Sequence, residues 1–179
     1  LPTRASPTSP PIPSPVISPA AKQQPWSLIT LDDLERGEHI ASGSMGSIYA
    51  ATWRGRRVAL KSLHDPTSSA LKETEEELLV HAALGHKHIV ELLGANLAPR
   101  GCCIVLELCR ESLFVRLYRR REEMERRTTV TIALHVARAV EYMHARSPSV
   151  VHRDIKSHNV LLDFDGTAKL CDFGLAAIG

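Results

Sequence analysis

The hydrophobic pattern changes its period at Pro66, and this change constrains the fold more than any other feature of the sequence. Before Pro66, apolar and polar residues alternate over short runs separated by small-residue turns, which is typical of β-strands. These runs lie at 34–40, 48–52 and 57–63. After Pro66, apolar residues recur at helical spacing, as Leu71, Leu78, Leu79 and Ala82. A helix is therefore predicted there, and its candidate N-caps are Thr67, Ser68 and Ser69.

The pattern downstream of this helix becomes mainly helical. Two further strands are predicted at 89–93 and 103–108, followed by a short helical run at 112–118. A longer helix is predicted at 128–145, with an apolar face made of Ile132, Ala133, Val136, Val140 and Met143. Short strands at 160–163 and 168–171 complete the order. Five strands with one helix, followed by mainly helix, predict an α+β fold of two lobes.

Composition argues against several classes of protein. Apolar residues make up 44% of the 179 residues and aromatic residues only 4%, so the core is expected to be mostly aliphatic. A net charge of +2 is too small to indicate a nucleic-acid partner, and no apolar run approaches the length of a membrane span. The four cysteines show no disulfide framework, which favours reduced thiols in a cytosolic or nuclear setting, and a cytoplasmic location is expected. His86, His88, Cys102 and Cys103 do not match the spacing of a common zinc finger.

The first 25 residues differ from all that follow. They contain eight of the eleven prolines and precede the first acidic residue, Asp32. Proline at this density prevents helix and sheet, so residues 1–25 are predicted to be a disordered Pro/Ser-rich tail. The tail carries four Ser-Pro steps, at Ser6, Ser9, Ser14 and Ser18. An inert linker, a phosphorylated segment, a docking segment for an aromatic groove and a transit peptide all remain open.

The stretch VVHRDIKSHNVLLD, from Val150 to Asp163, combines a His, an Arg, an Asp, a Lys and an Asn between two apolar runs. A folding core does not need such a cluster. Five polar side chains between apolar elements indicate a loop that rigid neighbours hold in place, which is where catalytic residues are often found.

A second candidate lies at the glycines of GSMGS, Gly43 and Gly46, between two strands of a hairpin. Such a turn lets backbone N–H groups approach phosphate oxygens, although most hairpins of this kind are only tight turns. Lys61 strengthens the functional interpretation, because an ammonium group in the apolar strand VALK requires an anionic partner. The acidic run on the following helix offers Glu77 as the first candidate and Glu76 as the second.

A third candidate is CDFGLA near the end of the sequence. Asp172 follows a strand that ends at Cys171 and precedes Phe173 and a glycine that frees the backbone. This position suits metal coordination, although an Asp-Phe-Gly turn is also common by chance.

Together these pieces resemble a eukaryotic protein kinase domain. The matching segments are IASGSMGSI, VALK, an acidic helix, HRDIKSHN and DFG, in that order. Trp26, YAATWRGRRVALK and HRDIKSHNVLLD make the chain most similar to the tyrosine-kinase-like Ser/Thr branch, the Raf and mixed-lineage type. The resemblance implies a five-stranded antiparallel N-lobe sheet with one helix, then a mainly helical C-lobe that is incomplete here. The N-lobe and hinge would occupy 26–109, and the partial C-lobe 110–179.

The resemblance also implies roles for individual residues in phosphoryl transfer from ATP with Mg²⁺. Asp154 would accept the proton of the substrate hydroxyl, and Lys156 would steady the γ-phosphate. Lys61, oriented by Glu77, would hold the α- and β-phosphates. Asn159 and Asp172 would bind Mg²⁺. The glycine-rich loop over the phosphates would comprise Ile40, Ala41, Ser42, Gly43, Ser44, Met45, Gly46, Ser47 and Ile48.

The adenine ring would lie between Ile48, Ala59 and Leu161, with Leu106 behind it. Backbone groups of Glu107 and Cys109 would offer hydrogen bonds to the ring. The same apolar residues would serve equally well as plain core packing.

Three departures from the family pattern matter. Ala41 stands where the first loop glycine is usual, which is tolerable if its φ angle stays negative. His81 stands where an aliphatic residue would pack against Phe173, so either the helix is shifted by one residue or this contact is looser. The sequence ends at Gly179, soon after Asp-Phe-Gly, so this stretch alone is expected to be weak or inactive.

The expected function is therefore that of a protein Ser/Thr kinase, with a catalytically inactive nucleotide-binding scaffold as the alternative. Lys156, two residues after Asp154, is the Ser/Thr pattern. The expected partners are a protein substrate and an upstream activating kinase, because Arg153 resembles the arginine that pairs with a phosphorylated activation segment.

Overall fold

The computed structural model describes residues 25–43, 46–64, 66–98 and 100–179. The tail predicted at 1–25, with its Ser-Pro steps, lies outside the described residues except for Pro25. Ser44 and Met45, which were predicted to cover phosphate, also lie outside them.

A six-stranded sheet forms most of the first half of the described chain. Its strands are β1 Ser27–Leu28, β2 Leu34–Gly43, β3 Gly46–Trp53, β4 Arg56–Leu63, β5 Leu92–Asn96 and β6 Cys103–Glu107. The strand order is β1-β5-β6-β4-β3-β2, and every pair is antiparallel except β1 with β5. The five predicted antiparallel strands are therefore present. The sequence pattern missed β1, because two residues are too few to display a period.

Helix α1, Ser68–Ala82, packs on this sheet. Thr67 caps it, because its hydroxyl accepts a hydrogen bond from the Ala70 N–H at 3.2 Å. Leu78 is only 1% exposed and packs with Trp26 and the sheet residues Ala95 and Ile104. Leu79, predicted on the same apolar face, is instead half exposed, at 50%. The helix therefore contacts the sheet through a narrow stripe that also includes Thr74 and His81.

The strand predicted at 89–93 is displaced, because β5 begins only at Leu92. Ile89 and Val90 are buried but pair with Leu170 in the second half of the chain, where the Val90 N–H donates to the Leu170 carbonyl at 2.9 Å. The apolar run therefore contacts two different elements, the segment around Leu170 through its first residues and β6 through its last. The sequence pattern alone does not show where one contact ends and the other begins.

The second half contains one long helix and several short strands. Their bounds are β7 Glu111–Ser112, α2 Arg126–His144, β8 Val150–Val151, β9 Val160–Leu162, β10 Ala168–Leu170 and β11 Ala177–Ile178. β10, β9 and β7 form one sheet, and β11 pairs with β8. The helix predicted at 112–118 is instead a π-helical turn, Val115–Arg119, after β7. The turn is wide because the Arg120 N–H reaches back to the Val115 carbonyl at 2.9 Å.

The core of the second half lies between α2 and the short strands. α2 contributes the buried Ile132, Ala139 and Met143, whereas Ala133 of the predicted apolar face is exposed. The strands contribute Val150, Val160, Leu162, Ala168 and Leu170. This packing holds the loop between β8 and β9 beside the segment that follows β10. None of the helices in the described part of the chain combines the length and apolarity that a bilayer crossing requires.

Candidate active site

The carboxylate of Asp154 lies in the loop between β8 and β9, and one of its oxygens accepts two hydrogen bonds. Asp154 Oδ2 accepts hydrogen bonds from Lys156 Nζ at 2.6 Å and from Asn159 Nδ2 at 2.9 Å. The Lys156 bond lowers the pKa of Asp154, and the same bond raises the pKa of Lys156. The carboxylate is therefore ionised at neutral pH and held in one orientation beside a cation.

His152, which carried no predicted role, ties this loop to the segment after β10. Its Nδ1 accepts from the Asp154 N–H at 3.3 Å, so its Nε2 carries the hydrogen that is donated to the Cys171 carbonyl at 3.1 Å. The ring is buried, and its centroid lies 5.1 Å from that of Phe173. The signal in the sequence was a histidine directly after an apolar strand, two residues before the candidate base.

Asn159 and Asp172 are brought together through the backbone, because the Cys171 N–H donates to the Asn159 carbonyl at 3.0 Å. Asn159 is 5% exposed, and its Nδ2 also contacts the Asp154 carbonyl oxygen at 3.0 Å. With Nδ2 engaged in this way, its amide oxygen remains for a metal. A carboxylate and an amide oxygen suit Mg²⁺, which usually completes its shell with phosphate oxygens and water.

Asp172 adopts a left-handed backbone conformation with φ of 67°, and Arg153 in the loop between β8 and β9 does so with φ of 62°. Such conformations are uncommon outside glycine and concentrate at functional sites. Arg153 Nε donates to the Leu175 carbonyl at 2.6 Å, which joins the two segments again.

Lys61 and Glu77 face each other between β4 and α1. Lys61 Nζ lies 3.8 Å from Glu77 Oε1, and the two side chains are 21% and 13% exposed. Burial raises the pKa of Glu77, Lys61 opposes this shift, and the nearby Asp172 adds to it. A β-carbon on Gly174 would lie 3.5 Å from both Glu77 Oε2 and Asp172 Oδ1. Glu77, the first predicted candidate, is therefore the partner of Lys61, whereas Glu76 is exposed.

The hairpin of β2 and β3 joins Gly43 and Gly46 as opposite residues. A β-carbon on Gly46 would lie 2.2 Å from the Ser62 carbonyl oxygen, so only glycine fits there. Gly43 faces open space. Ala41 pairs with Ile48 and is not among the non-glycine residues with positive φ, so its methyl group introduces no backbone strain.

A chain of side chains that sequence analysis missed crosses this hairpin. His39 Nε2 lies 2.8 Å from Ser42 Oγ, Ser42 Oγ lies 3.2 Å from Ser47 Oγ, and Ser47 Oγ lies 3.2 Å from His64 Nε2. It links both arms of the hairpin to the end of β4.

The residues predicted around adenine lie on adjacent elements. Ala59 on β4 pairs with Leu106 on β6, and Ile48 on β3 pairs with Lys61. Ile48, Ala59, Leu106, Cys109 and Leu161 are half-buried, and Ile40 is 51% exposed. The Glu107 N–H already donates to the Glu91 carbonyl at 3.0 Å, so this N–H is engaged within the protein.

The side chain of Glu107 has a partner that the sequence pattern did not indicate. Its Oε1 accepts a hydrogen bond from Lys169 Nζ, which also lies 3.4 Å from Asp163 Oδ2. Burial alone would lower the pKa of Lys169, but the two carboxylates outweigh it and raise the pKa. This network joins β6 to β10 and to the residue that follows β9.

His81 occupies the position where an aliphatic residue was expected. Its Nε2 donates to the Val90 carbonyl at 2.7 Å, and its ring centroid lies 4.6 Å from that of Phe173. Burial lowers its pKa, so the ring is neutral at neutral pH. Because Glu77 still faces Lys61, the alternative of a helix shifted by one residue is wrong.

Comparison with known proteins accounts for this arrangement. The protein kinase domain family matches residues 34–178 of the chain. The chain belongs to the protein kinase family. Its two-lobed α+β architecture is that of an incomplete kinase domain, as the sequence predicted. Members of this family generally use ATP and Mg²⁺ and act on protein substrates.

Several kinases resemble this one over most of its length. The probable serine/threonine-protein kinase SIS8 of Arabidopsis thaliana is 38% identical over 154 residues, which cover 84% of this chain and 14% of SIS8. The serine/threonine-protein kinase CTR1 of A. thaliana is 38% identical over 159 residues, covering 86% of this chain and 19% of CTR1. Mitogen-activated protein kinase kinase kinase 10 of Mus musculus is 34% identical, covering 92% and 19% respectively. The predicted tyrosine-kinase-like Ser/Thr type is confirmed.

This kinase chain spans about a fifth or less of the length of these relatives. Beside the candidate site, a cavity of about 520 Å³ lies beneath α1, lined by Glu73, Glu76, Glu77, Val80, Arg153, Phe173, Gly174, Ala176 and Ile178. A groove of about 710 Å³ runs between α2 and the loop that joins β8 to β9.

Proposed function

We propose that the protein transfers the γ-phosphate of ATP to a serine or threonine hydroxyl of a protein substrate. The observation that supports this best is that Glu77 lies close to both Lys61 and Asp172. Lys61 Nζ is 3.8 Å from Glu77 Oε1, and the negative charge of Asp172 helps to raise the pKa of Glu77. A strand amine, a helix carboxylate and a candidate metal ligand from three separate segments therefore lie near one another. A perturbed carboxylate that pairs with a lysine beside a further acidic group is a candidate for a functional site.

In this proposal Asp154 receives the proton of the attacking hydroxyl. Its ionised state and its hydrogen bond from Asn159 support that role, because a base must be deprotonated and oriented toward the acceptor. Lys156 Nζ, 2.6 Å from the same oxygen, would contribute positive charge beside the transferred phosphoryl group. This lysine also favours serine or threonine acceptors over tyrosine.

The nucleotide would lie between the hairpin and β9. We propose that Lys61 binds the α- and β-phosphates, and that the loop comprising Ile40, Ala41, Ser42, Gly43, Ser44, Met45, Gly46, Ser47 and Ile48 covers them. Ala59, Leu106 and Leu161 would contact adenine, with the backbone of Glu107 and Cys109 at its edge. Asn159 and Asp172 would hold Mg²⁺, which supplies charge neutralisation for the phosphates when bound.

Partners and location follow as proposals of the same kind. Arg153 resembles the arginine that pairs with a phosphorylated activation segment, and its Nε contacts the segment after Asp172 by donating to the Leu175 carbonyl at 2.6 Å, so we propose an upstream activating kinase. The four cysteines without disulfides among the described residues support a cytoplasmic location.

The deciding experiment compares the full-length protein with its Asp154→Ala variant, using a generic basic protein as acceptor. We expect kcat to fall about 10²–10⁴-fold, because the base and the donor network at its oxygen are lost. Nucleotide affinity should change little. The measurement is transfer of labelled phosphate from ATP.

Asp165→Asn is the matched control, since Asp165 is an exposed carboxylate in the turn between β9 and β10. It should leave transfer unchanged. Equal phosphate transfer by the wild type and Asp154→Ala would contradict the proposal. If the wild type binds nucleotide but transfers no phosphate, the protein is instead a nucleotide-binding scaffold.

A further inference from the structure

Three histidines meet where the loop after α1 contacts α2 and β10. His88 is 1% exposed, and its ring stacks on that of His135 with centroids 4.1 Å apart. The His86 ring lies 5.4 Å from His88 and stacks on Tyr142 at 4.9 Å. Within the described ranges, no three or more His, Cys, Asp or Glu side chains are arranged to hold a metal ion. The cluster therefore needs an explanation other than metal binding.

Two of these rings bind both backbone polar groups of Ala168 on β10. His88 Nδ1 lies 3.0 Å from the Ala168 carbonyl oxygen and donates to it. The Ala168 N–H donates to His135 Nδ1 at 3.2 Å. The first bond requires a hydrogen on His88 Nδ1, and the second requires that His135 Nδ1 carry none. We name this pair of hydrogen bonds the Ala168 clamp.

Backbone bonds extend the connection toward the candidate metal ligand. The Leu170 N–H donates to the His88 carbonyl, and the Val90 N–H donates to the Leu170 carbonyl, both at 2.9 Å. Asp172 follows Leu170 by two residues. The placement of Asp172 therefore depends on how β10 is held, and the clamp holds its first residue.

We propose that His88 and His135 are positioning residues that hold β10 through Ala168 and so set the place of Asp172 for Mg²⁺-bound nucleotide. This inference rests on the proposed kinase function, because Mg²⁺–ATP defines the role. Groups that orient a metal ligand from outside its shell commonly alter metal affinity when they are replaced.

Burial and the neighbouring charges together set the pKa of His135. Burial lowers its pKa, Arg138 and Lys87 lower it further, and Asp165 opposes them. The ring is therefore neutral at neutral pH and gains a proton only in acid. A proton on Nδ1 removes the acceptor for the Ala168 N–H, so acid should open this half of the clamp.

His88 contributes the other half from a similar environment. Burial lowers its pKa, the bond to Ala168 opposes this, and His135, Lys87 and His86 lower it further. His88 Nε2 is buried without a hydrogen-bond partner among the described residues. Among the described residues, the hydrogen bond from Nδ1 to the Ala168 carbonyl is therefore the only one that the His88 ring makes.

The test uses the full-length protein and two substitutions of His135. His135→Asn keeps an acceptor oxygen near the place of Nδ1 and does not titrate, whereas His135→Leu removes the acceptor. We measure binding of a fluorescent ATP analogue without turnover, as a function of Mg²⁺ concentration. His135→Leu should raise the Mg²⁺ concentration needed for half-maximal binding about fivefold, whereas His135→Asn should stay within about twofold of the wild type.

Two further comparisons sharpen this measurement. His88→Asn keeps an amide donor toward Ala168 and should resemble the wild type, whereas His88→Leu should resemble His135→Leu. His144→Leu is the matched control, because His144 is the exposed last residue of α2. It should leave the Mg²⁺ dependence unchanged.

The pH dependence of nucleotide binding is a second measurement, and it should not change if His135 only fills space in the core. Between about pH 7.5 and 5.5, nucleotide binding by the wild type should weaken more than binding by His135→Asn. If His135→Leu does not fold, this pH comparison alone decides, and equal acid weakening in both proteins overturns the inference.

The remaining outcomes separate this inference from the proposed function. An inactive Asp154→Ala together with wild-type Mg²⁺ dependence in His135→Leu overturns the clamp and leaves the kinase function intact. His135→Asn behaving like His135→Leu also overturns it, because ring packing rather than the acceptor would then matter. An active Asp154→Ala removes the kinase function instead, while the nucleotide-binding measurement still reports on the clamp.

Discussion

At the scale of single residues, two glycines of one hairpin are predicted to differ in how strongly substitution by alanine destabilises the protein. A β-carbon on Gly46 would meet the backbone oxygen of Ser62 at 2.2 Å, whereas one on Gly43 meets nothing within 4 Å. Gly46→Ala should therefore lower the free energy of unfolding by about 1–3 kcal/mol, because β3 and β4 must move apart. Gly43→Ala should change it by less than about 1 kcal/mol. Urea unfolding of both variants gives the comparison, and equal destabilisation would contradict it.

At the scale of elements, Lys169 joins β6 to β10 and to the residue that follows β9. Its side chain is 12% exposed, and it contacts Glu107 and Asp163, whose side chains are 17% and 23% exposed. Lys169→Met leaves two carboxylates without their cation, so we expect a loss of about 3 kcal/mol in the free energy of unfolding. Urea unfolding measures it.

The double variant Lys169→Met with Glu107→Gln is the control for that prediction. It removes one of the stranded charges and should recover part of the loss, because the cost lies in the uncompensated carboxylates rather than in the missing methylene contacts. If the double variant recovers none of the lost free energy of unfolding, side-chain packing and not charge determines the contribution of Lys169 to stability.

At the scale of the whole molecule, four fully or partly buried histidines predict that stability decreases in acid. Burial lowers the pKa of His81, His86, His88 and His135 from the ordinary value of 6.5. Below about pH 6.5 the unfolded chain therefore binds more protons than the folded one, and stability falls as the pH decreases. Urea unfolding at successive pH values should show this slope, and His81→Leu should reduce it. A flat profile between about pH 7 and 5 would contradict the prediction.

Many of the secondary-structure elements and candidate site residues could be predicted from the sequence, because they depend on local chemistry. Short strand-like runs predicted β2, β3, β4 and β6, and helical spacing predicted α1 and α2. The polar loop after β8 was identified because a folding core does not need such a cluster. Lys61 required an anion by itself, because an ammonium group in an apolar strand is costly, and the adjacent acidic helix supplied Glu77. These inferences need only neighbours close in sequence.

Tertiary structure alone decided which surfaces meet. Periodicity tells which side of an element is apolar but not what it packs against, so Ile89 and Val90 were assigned to β5 although they pair with Leu170. The bond of Lys169 to Glu107 spans 62 residues, and that of His88 to Ala168 spans 80. No sequence pattern relates such distant positions, because their contact depends on how the two lobes pack around the candidate site.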